Sequence, residues 1–179
     1  MRRLALLVGT VVTVAWASPA SAQLRSFGVG LSGGLTVPSG DLSNSVNSGY
    51  TIGAHFYLLP ARFANLRFRA DGTYDRFALK EDEGSVRYLG LAFNAMYELP
   101  VGSAIRPYVL LGLGTYGLKV SREFPQGRIE STDRDFGLQA GGGLAFELSG
   151  FSTFVEARYV NIMRDPSTTY LPIAFGIRF

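Results

Sequence analysis

The chain of 179 residues contains no cysteine and a single histidine, so neither a disulfide framework nor a multi-histidine metal site can hold it together. Its 17 basic and 14 acidic side chains give a formal net charge of +3, and two of the basic ones, Arg2 and Arg3, sit at the extreme N-terminus; the near balance elsewhere excludes a nucleic-acid footprint. Beyond residue 22 no uninterrupted apolar run approaches the ~18 residues a membrane helix needs, so a membrane-embedded form of this chain has to be a barrel.

Met1-Arg2-Arg3, the apolar run Leu4 to Trp16 and the A-x-A site Ala20-Ser21-Ala22 together read as a cleaved secretory signal over residues 1–22, with the mature domain over 23–179. The twin-arginine consensus is missing around Arg2-Arg3, which points to the general secretory route. The only tryptophan, Trp16, leaves with the signal, so Tyr and Phe must supply any interfacial aromatic belt.

The mature part alternates with strand period throughout. Phe27, Val29, Leu31, Leu35 and Val37 share one face of a first strand whose other face is Gly, Ser and Thr; a polar loop, Pro38 to Gly49, follows. Tyr50, Ile52, Ala54, Phe56 and Leu58 form the greasy face of a second strand, opposite His55 and Tyr57. After a short link at 60–65, the third strand sets Leu66, Phe68, Ala70, Gly72 and Tyr74 against a charged face of Arg67, Arg69, Asp71, Thr73 and Asp75. A polar loop from Ala78 to Ser85 leads to a fourth strand, with Leu89, Leu91, Phe93, Ala95, Tyr97 and Leu99 opposite Gly90, Ala92, Asn94, Met96 and Glu98.

The fifth strand, Ile105–Val120, carries large apolar residues on both faces and its sidedness is ambiguous; small residues suit a crowded interior, which assigns Val109, Leu111 and Leu113 outward and Arg106, Tyr108, Gly112 and Gly114 inward. Ser121 to Asp133 reads as a third long loop. Phe136, Leu138, Ala140, Leu144 and Phe146 then face out, with Gln139, Gly141, Gly143 and Glu147 inward, and a seventh strand sets Val155, Ala157 and Tyr159 against Glu156 and Arg158. After a fourth polar loop, Arg164 to Thr169, the last strand places Leu171, Ile173, Phe175, Ile177 and Phe179 on one face.

Eight strands joined by alternately long and short connections define an all-β fold, an eight-stranded antiparallel transmembrane β-barrel in up-and-down order, with long extracellular loops and short periplasmic turns. A soluble lipocalin-type barrel would invert this sidedness and place the apolar faces around a ligand cavity, and a β-sandwich is the other rival; the alternation of long and short connections favours the membrane barrel.

With the signal, the eight amphipathic strands and the terminal IAFGIRF, the chain resembles the small outer-membrane β-barrel superfamily of opacity proteins and OmpA- and OmpX-type barrels. RPYVLLGLG (Arg106 to Gly114) and FVEARY (Phe154 to Tyr159) are looser matches. The resemblance implies that Leu171, Ile173, Phe175, Ile177 and Phe179 carry the signal read by the outer-membrane barrel assembly machinery, with periplasmic chaperones as transient partners. It further implies a monomer in the lipid bilayer of a Gram-negative-type outer membrane, in contact with lipopolysaccharide. The OmpA resemblance stops at the barrel, so no peptidoglycan-binding domain is expected.

Little in the chain points to chemistry. Gly28-Val-Gly30-Leu-Ser-Gly33 spells a dinucleotide fingerprint, but its glycines lie within a strand and no helical period follows. His55 has no local pattern of a hydrolase around it and reads as a packed interior histidine, although lipid-A-modifying members of the family use a histidine, a serine and an acid. No catalytic, cofactor-binding or metal-binding residue is assigned. The inward charges say more: Arg67, Arg69, Arg106, Arg158 and Arg178 face Asp71, Asp75, Glu98, Glu147 and Glu156, and in a narrow lumen they must pair. Arg69, Asp71, Glu156 and Arg158 should meet near mid-height, and Glu98, Arg106, Glu147 and Arg178 nearer the periplasmic end. The expected function is a non-enzymatic envelope or surface-interaction barrel; a thin channel gated by these pairs is the alternative, followed by a lipid-A-modifying enzyme.

Overall fold

The computed structural model describes residues 27–60, 62–63, 65–80, 84–101, 104–124 and 127–179, with the backbone alone over 120–132; the expected signal segment lies outside the described residues. Eight strands, β1 (Phe27–Ser39), β2 (Gly49–Leu58), β3 (Leu66–Ala78), β4 (Gly84–Glu98), β5 (Ile105–Phe124), β6 (Gly127–Glu147), β7 (Ser152–Ile162) and β8 (Thr168–Arg178), follow one another as antiparallel neighbours, and β8 closes on β1. Gly30 pairs with Arg178 of β8, yet the row that starts at Gly30 and passes through His55, Asp71, Ala92, Gly114, Gly137 and Ile162 arrives at Thr168. The stagger around the barrel is therefore 178 − 168 = 10 residues. Such a stagger in eight strands requires them to tilt by roughly 35–45° and leaves an interior just wide enough for side chains.

Period-two alternation sends one face of every strand to each side. Phe27, Leu31, Leu35, Ile52, Leu91, Leu111 and Phe136 stand outside, with Phe136 70% exposed, while Thr36, Tyr57, Arg69, Asn94 and Glu156 are buried inside. Closure leaves no free edge around the apolar wall, and a wall this greasy is stable only against lipid. β5 takes the sidedness that small residues favour: Val109, Leu111 and Leu113 face out, and Tyr108, Leu110, Gly112 and Gly114 face in.

Two of the long loops differ from expectation. The stretch from Ser121 to Asp133 is not a loop, because β5 runs on to Phe124 and β6 starts at Gly127, the two pairing from Ile105↔Phe146 as far as Phe124↔Gly127. Its polar composition reads as a loop, but backbone pairing continues through it. Pro38 to Gly49 is not simply a solvated loop either. A single helical turn, α1 (Leu42–Ser45), leads into Val46, which bridges to Leu79 and is only 1% exposed. Leu42 and Val46 thus turn inward and cap the barrel at the end away from Phe27 and Phe179.

Candidate functional site: the barrel lumen

The interior is layered along the barrel axis. At mid-height, β3 contributes Arg69 and Asp71 and β7 contributes Glu156 and Arg158. Arg69 is completely buried; its Nη1 and Nη2 donate to Glu156 Oε2 and Oε1 at 2.7 and 2.8 Å. Its Nη2 and Nε also reach Asp71 at 2.9 and 2.8 Å. Arg158 completes the square, 3.2 Å from Asp71 and 3.2 Å from Glu156. Neutral donors take up remaining lone pairs: Tyr108 donates to Glu156 at 2.7 Å, and Asn94 donates to Asp71 at 2.9 Å. Two guanidiniums against two carboxylates, each carboxylate with a further hydrogen bond from a neutral donor, is the arrangement that makes buried charge tolerable.

Below this layer, toward the end that carries the chain's last residue, Glu98 collects Arg67 at 2.6 Å, Arg178 at 3.2 Å and Arg106 at 3.6 Å, while Glu147 lies 3.4 Å from Arg106 and 3.5 Å from Arg178. Tyr57 sits between the two layers, its ring 5.8 Å from the Arg69 guanidinium and 5.4 Å from that of Arg178. The mouth at this end opens into a cavity of about 550 Å³ lined by Arg67, Arg106, Glu147, Phe151 and Arg178.

Above mid-height the lumen turns apolar. Phe77, Val86, Tyr88, Tyr116, Leu118, Val160, Ile162 and Tyr170 form one buried cluster together with Val46. Tyr170 packs 5.6 Å from both Phe77 and Tyr88. Asp75 departs from the expected balance of five against five: no arginine pairs with it among the described residues, and it accepts a hydrogen bond from the Tyr170 hydroxyl at 3.2 Å instead. Its position four residues nearer the capped end than Asp71 takes it beyond ion-pair distance of the arginines and among tyrosines.

Sequence reasoning missed one constellation. Ser32 Oγ lies 2.8 Å from His55 Nε2, and His55 Nδ1 lies 2.7 Å from Asp71 Oδ1. The register creates it: His55 is the direct neighbour of Asp71, and Ser32 is opposite Gly53, where an added Cβ would sit 2.8 Å from the serine oxygen. The connectivity is that of a nucleophile, a base and an orienting carboxylate. Its surroundings work against such a use. Asp71 is not dedicated to the histidine: it also pairs with Arg69 and Arg158 and accepts from Asn94. All three residues are buried, and Phe154 lies edge-on to His55 at 5.8 Å. Ser32, His55 and Asp71 all have inward parity in the sequence, but the pairing of β1 with β2 and β2 with β3 was needed to bring them together.

Eight tilted strands with a greasy outside and a packed inside that holds the charges define a membrane-spanning barrel of the smallest common size. The chain belongs to the outer membrane protein beta-barrel domain family, which it matches over residues 4–179. The family places the barrel in the outer membrane of a Gram-negative bacterium. None of the curated proteins matches the chain. Among solved structures it is similar to the Neisserial surface protein A, at 18% identity and a TM-score of 0.67, over 86% of this chain and 96% of that one. It is also similar to the outer membrane protein OprG of Pseudomonas aeruginosa, at 13% identity and a TM-score of 0.52, over 86% and 96%. The outer membrane enzyme PagL is a further fold relative, at 18% identity and a TM-score of 0.52, over 85% and 98%.

Proposed function

We propose that the protein is a non-enzymatic barrel with an envelope-structural or surface-interaction role, its loops presented outside the cell. The observation that carries this reading is the filled lumen. A fully buried ion-pair layer around Arg69 and an apolar cluster capped by Val46 lie in series, and a cavity of about 550 Å³ opens at the other end. Eight strands leave no bypass. Single-channel recording of the refolded protein in a planar bilayer tests it: silence is expected, and reproducible conductance steps would establish the channel alternative.

The Ser32–His55–Asp71 chain gives the enzyme reading its one specific support. A lipid substrate lies outside the wall, however, whereas Ser32 points inward, so the hydroxyl cannot reach an acyl chain without opening the barrel. An unchanged lipid-A mass spectrum in cells expressing the protein is the expected result; a shift abolished by His55→Ala would reverse the assignment.

Export through the general secretory route, with residues 1–22 removed, fits the basic, apolar and A-x-A sequence of the N-terminus. Handover by periplasmic chaperones to the barrel assembly machinery fits the outward row of β8, in which Ile173, Phe175 and Phe179 are exposed and Leu171 and Ile177 partly so. The closed ring needs no second copy, which favours a monomer.

A further inference from the structure

The register sets basic side chains side by side on the outer wall. Arg76 of β3 is directly opposite Arg87 of β4, and Arg87 is in turn opposite Lys119 of β5. On β6, Arg134 is opposite Gly117, two residues from Lys119 on the same face of β5. All four continue the lipid-facing parity: Arg76 after Tyr74, Arg87 before Leu89, Lys119 after Leu111 and Leu113, Arg134 before Phe136. Arg76 and Arg134 are exposed, and Arg87 and Lys119 are half-buried.

Residues directly opposite on adjacent strands have Cβ atoms only ~4.5–5.5 Å apart, and like charges so placed repel. Within the lumen every such crowding is answered by a carboxylate. On this patch, none of the three arginines forms an ion pair among the described residues; Arg87 Nε donates to the Ser85 hydroxyl at 3.2 Å, a neutral partner. The patch also lies where the apolar wall ends. Ile52, Leu89, Leu91 and Phe136 are exposed immediately toward the membrane, and Tyr50, opposite Arg76, pairs with Tyr74 at 6.2 Å between ring centres, as interfacial aromatics do. Uncompensated, adjacent guanidiniums at the edge of a lipid-facing wall call for an anion supplied by the membrane itself.

We propose that Arg76, Arg87 and Arg134, with Lys119 between them, bind the phosphate groups of a phosphorylated glycolipid in the outer leaflet. The proposal rests on the functional reading above, which points this end of the barrel to the cell exterior. A headgroup carrying two phosphates on one sugar scaffold answers several neighbouring cations at once, and arginine's planar fork suits a phosphate bidentately. A phospholipid brings a single phosphodiester to the same row.

The test uses the full mature barrel and its R76A/R87A/R134A variant, refolded into phosphatidylcholine nanodiscs without additive, with bisphosphorylated lipid A, with the same lipid after removal of its phosphates, or with phosphatidylglycerol at equal added charge. Thermal unfolding is followed by loss of the folded band in gel electrophoresis of samples that are not boiled. The parent should gain several degrees from bisphosphorylated lipid A, almost nothing from the dephosphorylated form and less than half as much from phosphatidylglycerol. In phosphatidylcholine alone the variant should be at least as stable as the parent, because repulsion has been removed, and it should lose the lipid-A gain; a merely structural role would give the opposite order. R76K/R87K/R134K should retain most of the gain and guards against misfolding of the alanine variant. An equal gain in the alanine variant or from the dephosphorylated lipid would overturn the site, and an equal gain from phosphatidylglycerol would overturn its assignment to a glycolipid. Failure of the parent to fold in any nanodisc would remove the membrane reading and the site with it.

Discussion

Arg69 and Glu156 are 87 positions apart in the chain and four strands apart around the ring, yet the guanidinium and carboxylate meet bidentately at 2.7 and 2.8 Å. They form a strut across the lumen between opposite walls. Arg69 holds Asp71 as well, so one guanidinium ties its own strand to the far side.

Cutting that strut from one side should be costly. Glu156→Ala leaves Arg69 and Arg158 sharing a single carboxylate in a dry interior, and breaking a buried pair by removing one partner costs about 3 kcal/mol or more. Urea unfolding in lipid vesicles should show this loss for the single variant, while R69M/E156M should lose appreciably less. Equal losses would mean that the pair contributes no more than packing.

The lumen has two packed layers in series, the ion-paired one around Arg69 and the apolar one around Tyr170. Glu156→Ala with Arg158→Ala removes half the charged layer but leaves Phe77, Tyr88 and Tyr170 packed above it. That double variant should remain silent in a planar bilayer. Conductance is expected only when Phe77→Ala and Tyr170→Ala are added, and steps from the first variant alone would show that the ion pairs are the whole gate.

Gly143 stands where Tyr108 of β5 passes over β6 toward Glu156 of β7. A Cβ there would lie 2.6 Å from the Tyr108 ring and hydroxyl and would also press on the Val155 carbonyl. Gly143→Ala should therefore cost roughly 1–3 kcal/mol by overpacking and displace the Tyr108–Glu156 hydrogen bond. Gly33→Ala faces outward with only an ordinary contact to the Thr51 carbonyl, at 3.8 Å, and should be nearly silent in the same unfolding measurement.

Ser32 should behave as a structural hydroxyl. A fluorophosphonate probe is expected to leave it unlabelled, and Ser32→Ala should cost about 1 kcal/mol, the ordinary worth of one buried hydrogen bond. Stoichiometric labelling that His55→Ala abolishes would instead identify an active nucleophile.

The C-terminal strand tests assembly apart from stability. Phe179 is exposed on the outer wall, and its backbone pairs with Val29 through N–H and carbonyl bonds of 2.8 and 3.2 Å. Phe179→Asp keeps that backbone pairing but spoils the apolar row, so it should reduce the amount of heat-modifiable protein in outer membranes while leaving refolding in detergent nearly unchanged. Normal membrane levels would count against an assembly role for this row.

What the chain determined by itself was everything that depends on parity along one strand. Alternation fixes which residues share a face, and bilayer physics fixes which face is outward, so the exteriors of β1 to β4 and β6 to β8 were legible from composition alone. β5 needed the barrel, because Leu110 and Leu118 are as apolar as Leu111 and Leu113 and only closure decides which pair is buried. Polar composition was read as loop over residues 121–133, and above the membrane it cannot distinguish a solvated hairpin from a coil. Register was wholly the work of the tertiary structure. A ten-residue stagger sets His55 beside Asp71, leaves Asp75 with Tyr170 instead of an arginine, and lines Arg76 against Arg87 on the outside. Neighbours across strands are chosen by how far each strand slides along the next, and a pattern of period two is unchanged by any slide of two.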